Sequence, residues 1–255
     1  MGAGWFRLVT SASCLLTSAS CLLTSASCLL TAASLLNAAT VTGRVELKDS
    51  RDPAVRSKAN YSGIVVSLLP IEKAVALPAA RATIRQKGKM FLPHILAITA
   101  GTIVDFPNDD PIFHNAFSNY NGQIFDLTLY PPKTTRSVRF TRPGVVRVFC
   151  NIHASMSAVI VVLKTPYFAV TGRDGTFSIP QVPAGGYQLS VFHERATDAA
   201  LRALDQHVTV PESDFDLPPI SISETGYLPL PHTNKYNQAY PPAKDENQVY
   251  PGVRD

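Results

Sequence analysis

Three residues with metal-binding side chains follow one another at short spacing near the middle of the chain. Cys150, His153 and Met156 form a Cys-x2-His-x2-Met pattern within RPGVVRVFCNIHASMSAVIVVL, residues 142–163. A thiolate, an imidazole and a thioether on one tight loop can surround a single ion. Two histidines, one cysteine and a weakly bound axial methionine are the ligands that select copper in electron-transfer sites. The pattern therefore predicts a copper site that needs one more histidine.

The second histidine is expected from GTIVDFPNDDPIFHNAFSNYNGQIFDL, residues 101–127. His114 follows a predicted strand and turn there, so its loop can meet the Cys150 loop at one end of a sandwich. The neighbouring Asn115 is placed to form a hydrogen bond across the site. A donor to the thiolate sulfur would hold the two ligand loops together and tune the reduction potential.

The N-terminal segment is predicted to direct export. No charged residue lies between Arg7 and Arg44, and the heptapeptide SASCLLT occurs three times in tandem before the small residues Ala38 and Ala39. This pattern predicts a signal peptide over residues 1–39 and a periplasmic protein. One alternative is an uncleaved membrane anchor, because the uncharged stretch is long enough to span a bilayer. The other is a lipoprotein, although Cys21 and Cys28 lack the leucine expected three residues before a lipidated cysteine.

Removal of that segment would leave one cysteine. Of the four cysteines, Cys14, Cys21 and Cys28 lie in the predicted signal peptide, and only Cys150 lies beyond it. A single thiol in an oxidising compartment has no internal disulfide partner and needs an explanation. A metal bound by Cys150 provides that explanation.

The elements expected to position these residues are β-strands. Alternating or apolar runs separated by turn residues predict strands, here at Val41–Leu47, Gly63–Ile71, Leu96–Phe106, Val145–Phe149, Ala158–Leu163, Thr176–Ile179 and Tyr187–Phe192. One short helix is expected at Ala196–Leu204. Short strands with regular turns predict an all-β fold, a sandwich or Greek-key barrel.

Composition excludes two classes of protein. The chain has 255 residues, 45% of them hydrophobic and 16% charged, which excludes a mostly disordered protein. Its net charge of +4 is spread without a lysine or arginine run, so no nucleic acid is expected as a partner. Residues 226–255 lack periodicity and are rich in Pro, Tyr and Asn, which predicts a disordered tail.

These motifs resemble a known family. Residues 41–164 resemble a blue-copper cupredoxin, with the loop spacing of amicyanin-like proteins, as found in bacterial exported proteins labelled methylamine-utilisation or plastocyanin-like. The resemblance implies one type 1 copper ion per chain, with His114, Cys150, His153 and Met156 as ligands and Asn115 as a supporting residue outside the ligand set. Ala154 departs from the pattern, since such loops often have proline after the histidine, and loses that restraint on the loop.

The resemblance also implies the domain order. A Greek-key cupredoxin β-sandwich is expected over residues 40–165, followed by a small transthyretin-like, or carboxypeptidase-regulatory-like, β-sandwich over 166–225. The second domain is suggested by G-x-x-G-x-F-x-I and V-P-x-G-x-Y-x-L, which begin at Gly172 and Val182.

The predicted function is one-electron transfer without catalysis. Four protein ligands leave no open position for a substrate, so no enzyme is expected. The resemblance implies a redox protein as partner, either a c-type cytochrome or a periplasmic dehydrogenase. Membrane contact is expected only if the N-terminal segment stays uncleaved. The alternatives are a carbohydrate- or protein-binding β-sandwich module and a copper chaperone.

Overall fold

The computed structural model describes residues 38–119, 122–228 and 232–240. The regular secondary structure of these residues is nearly all β, which confirms the predicted all-β class. Two short helices are present among them, α1 Pro53–Lys58 and α2 Asp198–Arg202. The strands are β1 Ala38–Lys48, β2 Val65–Pro70, β3 Arg81–Thr83, β4 Arg85–Gln86, β5 Phe91–Leu92, β6 Ile95–Thr99, β7 Ile103–Pro107, β8 Phe117–Ser118, β9 Phe125–Asp126, β10 Thr135–Arg139, β11 Gly144–Phe149, β12 Ser157–Leu163, β13 Phe168–Val170, β14 Thr176–Pro183, β15 Gly185–Phe192, β16 Gln206–Val210, β17 Phe215–Asp216 and β18 Ile220–Ser223.

The first sandwich comprises the strands β3 to β12. One sheet has the order β6-β12-β11-β8-β9, the other has the order β10-β7-β3, and β4 and β5 form a separate hairpin. Large buried side chains fill the space between the sheets, among them Phe106, Tyr130, Phe140 and Ile160. The antiparallel ladder of β11 and β12 ends with Phe149 opposite Ser157. Both ends of the loop that carries Cys150, His153 and Met156, here called the ligand loop, therefore emerge at the same edge.

The second sandwich combines strands from both ends of the chain. One sheet contains β14, β1, β17 and β18, and the other has the order β13-β2-β15-β16. Val41 and Leu68 from the N-terminal side pack in one core with Ile179 and Leu189 from the C-terminal side. The first sandwich therefore interrupts the second in sequence.

This pairing departs from the predicted division into residues 40–165 and 166–225. The strands β1 and β2 precede the predicted boundary but lie in sheets with β14 and β15, which follow it. Their alternating pattern identifies them as strands, whereas the partner of a strand is set by contacts that are distant in sequence. The transthyretin-like character of the second sandwich stays a prediction, as does the signal peptide, whose residues 1–37 lie outside the described chain.

Strand β12 joins the two sandwiches. Its residues Ala158, Ile160 and Val162 point into the core of the first sandwich. The alternate residues Val159 and Val161 pack instead in a separate apolar cluster with Val65 of β2. A strand buried on both faces is apolar throughout, which explains the run SAVIVVL.

Within the described ranges, no helix has the length and apolarity needed to cross a bilayer.

Candidate metal centre

The loop between β11 and β12 is closed by its own backbone. The amide of Cys150 donates to the carbonyl of Met156 at 3.2 Å, and the amide of Met156 donates to the carbonyl of His153 at 3.1 Å. Cys150 and Met156 consequently lie opposite each other and are both fully buried. His153, at the turn of the loop, is partly buried.

A second loop, which follows β7, delivers His114. Asn108 organises it, because its side-chain amide donates to the carbonyl of Ile112 at 2.8 Å and its side-chain oxygen accepts the amide of Asp110 at 3.1 Å. His114 itself forms a two-way backbone bridge with Tyr130, at 3.2 and 2.9 Å. The imidazole is fully buried, and the bridge to Tyr130 fixes the backbone that carries it.

The two loops bring three ligand atoms together. The Nδ1 atoms of His114 and His153 are 3.2 Å apart, and they lie 4.0 and 3.6 Å from the Sγ atom of Cys150. These separations define a point about 2.1 Å from all three atoms, which matches metal–imidazole and metal–thiolate bonds of about 2.0–2.3 Å. His114, Cys150 and His153 therefore fit a single metal ion.

Asp110 fixes the tautomer of His114. Its carboxylate lies 2.8 Å from the Nε2 atom of His114, and an ionised carboxylate only accepts hydrogen bonds. The proton is therefore on Nε2, which leaves Nδ1 available to a metal. Carboxylates that orient ligand histidines in this way raise the basicity of the imidazole. Asp110 is not among the site residues predicted from the sequence.

The carboxylate of Asp110 is itself held by a tight turn. The amides of Gly88 and Lys89, between β4 and β5, donate to its two oxygens at 2.6 and 2.8 Å. Both turn residues have positive φ, 61° and 57°, as a two-residue hairpin turn requires. Burial acts to raise the pKa of Asp110, but the hydrogen bonds from Lys89, His114 and Gly88 outweigh it and lower the pKa.

Two of the fully buried candidate ligands have shifted pKa values. Burial raises the pKa of the Cys150 thiol, against the effect of backbone amides of Ile152, Asn115 and His153 that donate to the sulfur. Burial likewise lowers the pKa of His114, although Asp110 opposes this shift. A thiolate in these surroundings is stabilised by the three amides and would be stabilised further by a bound cation.

Asn115 lies across both ligand loops. Its side-chain oxygen accepts the amide of Asn151 at 2.9 Å, and its side-chain nitrogen donates to Asp126 at 2.8 Å. The group of Asn115 that reaches the sulfur of Cys150 is the backbone amide. The side chain of Asn115 thus links the two loops, while its main chain supplies the donor to the sulfur.

A C-terminal segment covers the outside of the ligand loop. Residues 232–240, here called the strap, belong to the tail that sequence analysis predicts to be disordered. The hydroxyl of Tyr240 donates to the carbonyl of Cys150 at 2.8 Å, and the ring of His232 binds the carbonyl of Ala154 at 2.8 Å. These contacts are made by individual side chains without a periodic pattern, and composition does not encode such contacts.

Solved structures similar to parts of this chain include a purple cupredoxin, amicyanins and a copper-containing nitrite reductase. A purple cupredoxin from Nitrosopumilus maritimus is 24% identical over 32% of this chain and 99% of its own, with a TM-score of 0.29. Amicyanin from Paracoccus versutus is 19% identical over 40% of this chain and 99% of its own, with a TM-score of 0.31. A copper-containing nitrite reductase from Thermus scotoductus is 23% identical over 47% of this chain and 28% of its own, with a TM-score of 0.32.

No family model matches the chain. No curated protein matches it either. Each of the three structural matches covers less than half of the chain.

Proposed function

We propose that this protein is an exported type 1 copper protein that carries single electrons in the periplasm. The observation that supports the proposal best is the convergence of His114, His153 and Cys150 on one point, with their ligand atoms 3.2 to 4.0 Å apart. Met156 is buried in the same core as Cys150, and its place in the Cys-x2-His-x2-Met spacing makes it the proposed axial ligand.

The chain's own contribution is to hold these side chains in place and keep water out. Copper would supply the one-electron couple. His114 is fixed by Asp110 and by its bridge to Tyr130, and Cys150 is fixed by three backbone amides. Ligands that cannot move favour electron transfer, because little rearrangement is needed when the charge of the site changes.

The proposed exchange of electrons with a partner runs through His153. This histidine is the partly exposed member of the cluster, whereas His114 and Cys150 are fully buried. A c-type cytochrome or a periplasmic dehydrogenase is the proposed partner, and weak redox encounters use small interfaces of less than about 1,200 Å². With four ligands assigned to the protein, no position is left for a substrate, so turnover chemistry is not part of the proposal.

Titration of the metal-free protein with Cu(II) tests the assignment. We expect an intense visible band from the thiolate–copper bond. Cys150→Ser should abolish it, and Met156→Leu should keep copper and colour but shift the reduction potential, because the axial bond is weak. An unchanged spectrum after replacement of Cys150 would exclude the copper site.

Stopped-flow mixing with a reduced cytochrome c separates a carrier from other copper proteins. Rapid bleaching of the band, with copper retained against a chelator over repeated cycles, is expected of a carrier. Loss of copper in each cycle would instead indicate a chaperone. Sustained consumption of nitrite or dioxygen that disappears in Cys150→Ser would indicate an enzyme.

A further inference from the structure

The strap forms hydrogen bonds with three residues of the ligand loop. Besides the bonds from Tyr240 to Cys150 and from His232 to Ala154, the backbone amide of Lys235 donates to the side-chain oxygen of Asn151 at 3.0 Å. The contacted residues are Cys150, Asn151, which follows it, and Ala154, which follows His153. Two of the three acceptors are main-chain carbonyls, so the strap acts on the backbone of the loop.

Aromatic packing reinforces these bonds. The His232 ring stacks on Phe149, the last residue of β11, with centroids 4.0 Å apart and planes 24° apart. Tyr240 meets the same His232 ring edge-on, at 5.1 Å and 82°. Such aromatic pairs stabilise beyond the area that they bury. The three rings cover the point at which β11 passes into the ligand loop.

The strap is also connected to the loop of His114. The ammonium of Lys235 lies 2.8 Å from the Asp126 carboxylate. Asp126 accepts a hydrogen bond from Asn115, the residue next to His114, and Asn115 accepts the amide of Asn151. A continuous set of polar contacts therefore runs from the strap to both ligand loops.

We propose that residues 232–240 are a positioning element that holds the Cys150–Met156 loop in its metal-binding arrangement from outside. Ala154 lacks the fixed φ of proline, and the hydrogen bond from His232 restrains the loop at this position. Release of the strap would free the carbonyls of Cys150 and Ala154 and let the loop open toward solvent. The copper-dependent part of this inference rests on the proposed function, whereas the effect on access to Cys150 does not.

Thiol reactivity of the full-length, metal-free protein tests the strap without copper. Tyr240→Phe and His232→Leu each remove one hydrogen bond to the loop. A hydrogen bond contributes enough to shift an opening equilibrium on the order of fivefold. We expect Cys150 to react about fivefold faster with an aromatic disulfide reagent in each variant. The control is Tyr227→Phe, which removes the same hydroxyl from a tyrosine that precedes the strap, and its rate should stay unchanged.

Hydrogen exchange then separates local opening from general loss of structure. In the two strap variants we expect faster exchange of the amides of residues 150–156, with unchanged exchange in β2 and β15 of the second sandwich. Equal thiol rates in all variants would overturn the proposal. So would an equal increase in Tyr227→Phe, since that would show unspecific loosening of the fold.

Copper loading supplies the second readout. Lys235→Met should release copper to a chelator faster and shift the reduction potential, and Lys235→Arg should restore both, because arginine keeps the charge that faces Asp126. Absence of copper binding in the unaltered protein would refute the proposed function, and the thiol rates would still decide about the strap. Normal copper binding with unchanged thiol and release rates would refute the strap alone.

Discussion

At the scale of single residues, the group bound to the far side of a ligand histidine matters as much as the ligand. A neutral imidazole binds a metal through the nitrogen that lacks a proton, so the hydrogen bond made by the other nitrogen selects the binding atom. In His114 that hydrogen bond is to Asp110, which is in turn held by the amides of Gly88 and Lys89. The β4–β5 turn thus acts on the candidate centre through one carboxylate.

We expect Asp110→Asn to weaken copper binding about 10- to 100-fold, as loss of such a partner typically does. The amide keeps the shape of the carboxylate but not its charge, and it no longer enforces the proton on Nε2 of His114. Competition titration against a chelator of known affinity measures the change. Asp109→Asn is the matched control, because the neighbouring Asp109 pairs with Arg85 at the surface. Equal losses in both variants would contradict the role given to Asp110.

The sequence allowed His114, Cys150, His153 and Met156 to be nominated because type and spacing are sequence properties. It did not allow Asp110 to be nominated, because an aspartate after a strand is commonly a turn residue, and only the fold brings it to the histidine ring. His232 was not nominated either, for the same reason. No local pattern records that its ring stacks on Phe149.

At the scale of elements, the predicted runs coincide with strands β1, β2, β6, β7, β11, β12, β14 and β15, whereas the other strands of the described residues were not predicted. The predicted run Leu96–Phe106 is two strands, β6 and β7, separated by a turn at Gly101 with φ of 97°. The predicted helix Ala196–Leu204 is present over the shorter range Asp198–Arg202. Apolar alternation predicts strand formation, whereas a turn within an apolar run depends on few residues.

Gly175 lies in a turn that contacts β1 closely. Its φ is 81°, and a Cβ atom there would lie 2.1 Å from the carbonyl oxygen of Val45. We expect Gly175→Ala to lower the free energy of unfolding by about 3–5 kcal/mol, through both backbone strain and this clash. Gly101→Ala isolates the first effect, because nothing lies within 4 Å of its Cβ position, and should cost about 1–3 kcal/mol. Denaturant titration of both variants measures the difference, and equal costs would contradict the clash.

His94 connects the two sandwiches. Its ring lies 2.8 Å from the Glu194 carboxylate that follows β15, and 3.0 Å from the carbonyl of Ser157 at the start of β12. The hydrogen bond to Glu194 raises the pKa of His94, against the opposing effect of partial burial. A base whose pKa is higher in the folded protein stabilises the fold when protonated. Its contribution is full below the ordinary pKa of about 6.5 and is lost as pH rises through the raised value.

We therefore expect His94→Gln to destabilise the metal-free protein in mildly acidic solution and progressively less as the pH rises. Thermal unfolding of both proteins across this pH range measures the difference. His207→Gln replaces an exposed histidine on β16 and serves as control. A difference between the protein and His94→Gln that grows with pH would contradict the assignment.

At the scale of the whole molecule, the nested order of the sandwiches determines which fragments fold. All strands of the first sandwich lie within residues 81–163, whereas β1 and β2 depend on β14 and β15. A fragment of residues 40–165 would therefore carry two strands with unpaired edges. We expect the amides of β1 and β2 in that fragment to exchange unprotected, and a fragment of residues 80–164 to stay protected and better soluble. Protection of β1 without β14 would contradict this account.

The nesting also sets an order of assembly. Thr165 donates to the carbonyl of Leu68 at 2.7 Å, so the chain leaves the second sandwich and returns to it at one place. Before the first sandwich folds, pairing β2 with β13 requires closure of a long loop, whose entropic cost grows with its length. Once the first sandwich has folded, a compact body instead of a flexible chain joins the end of β2 to the start of β13. Any ion that stabilises the first sandwich would then speed the completion of the second without touching it.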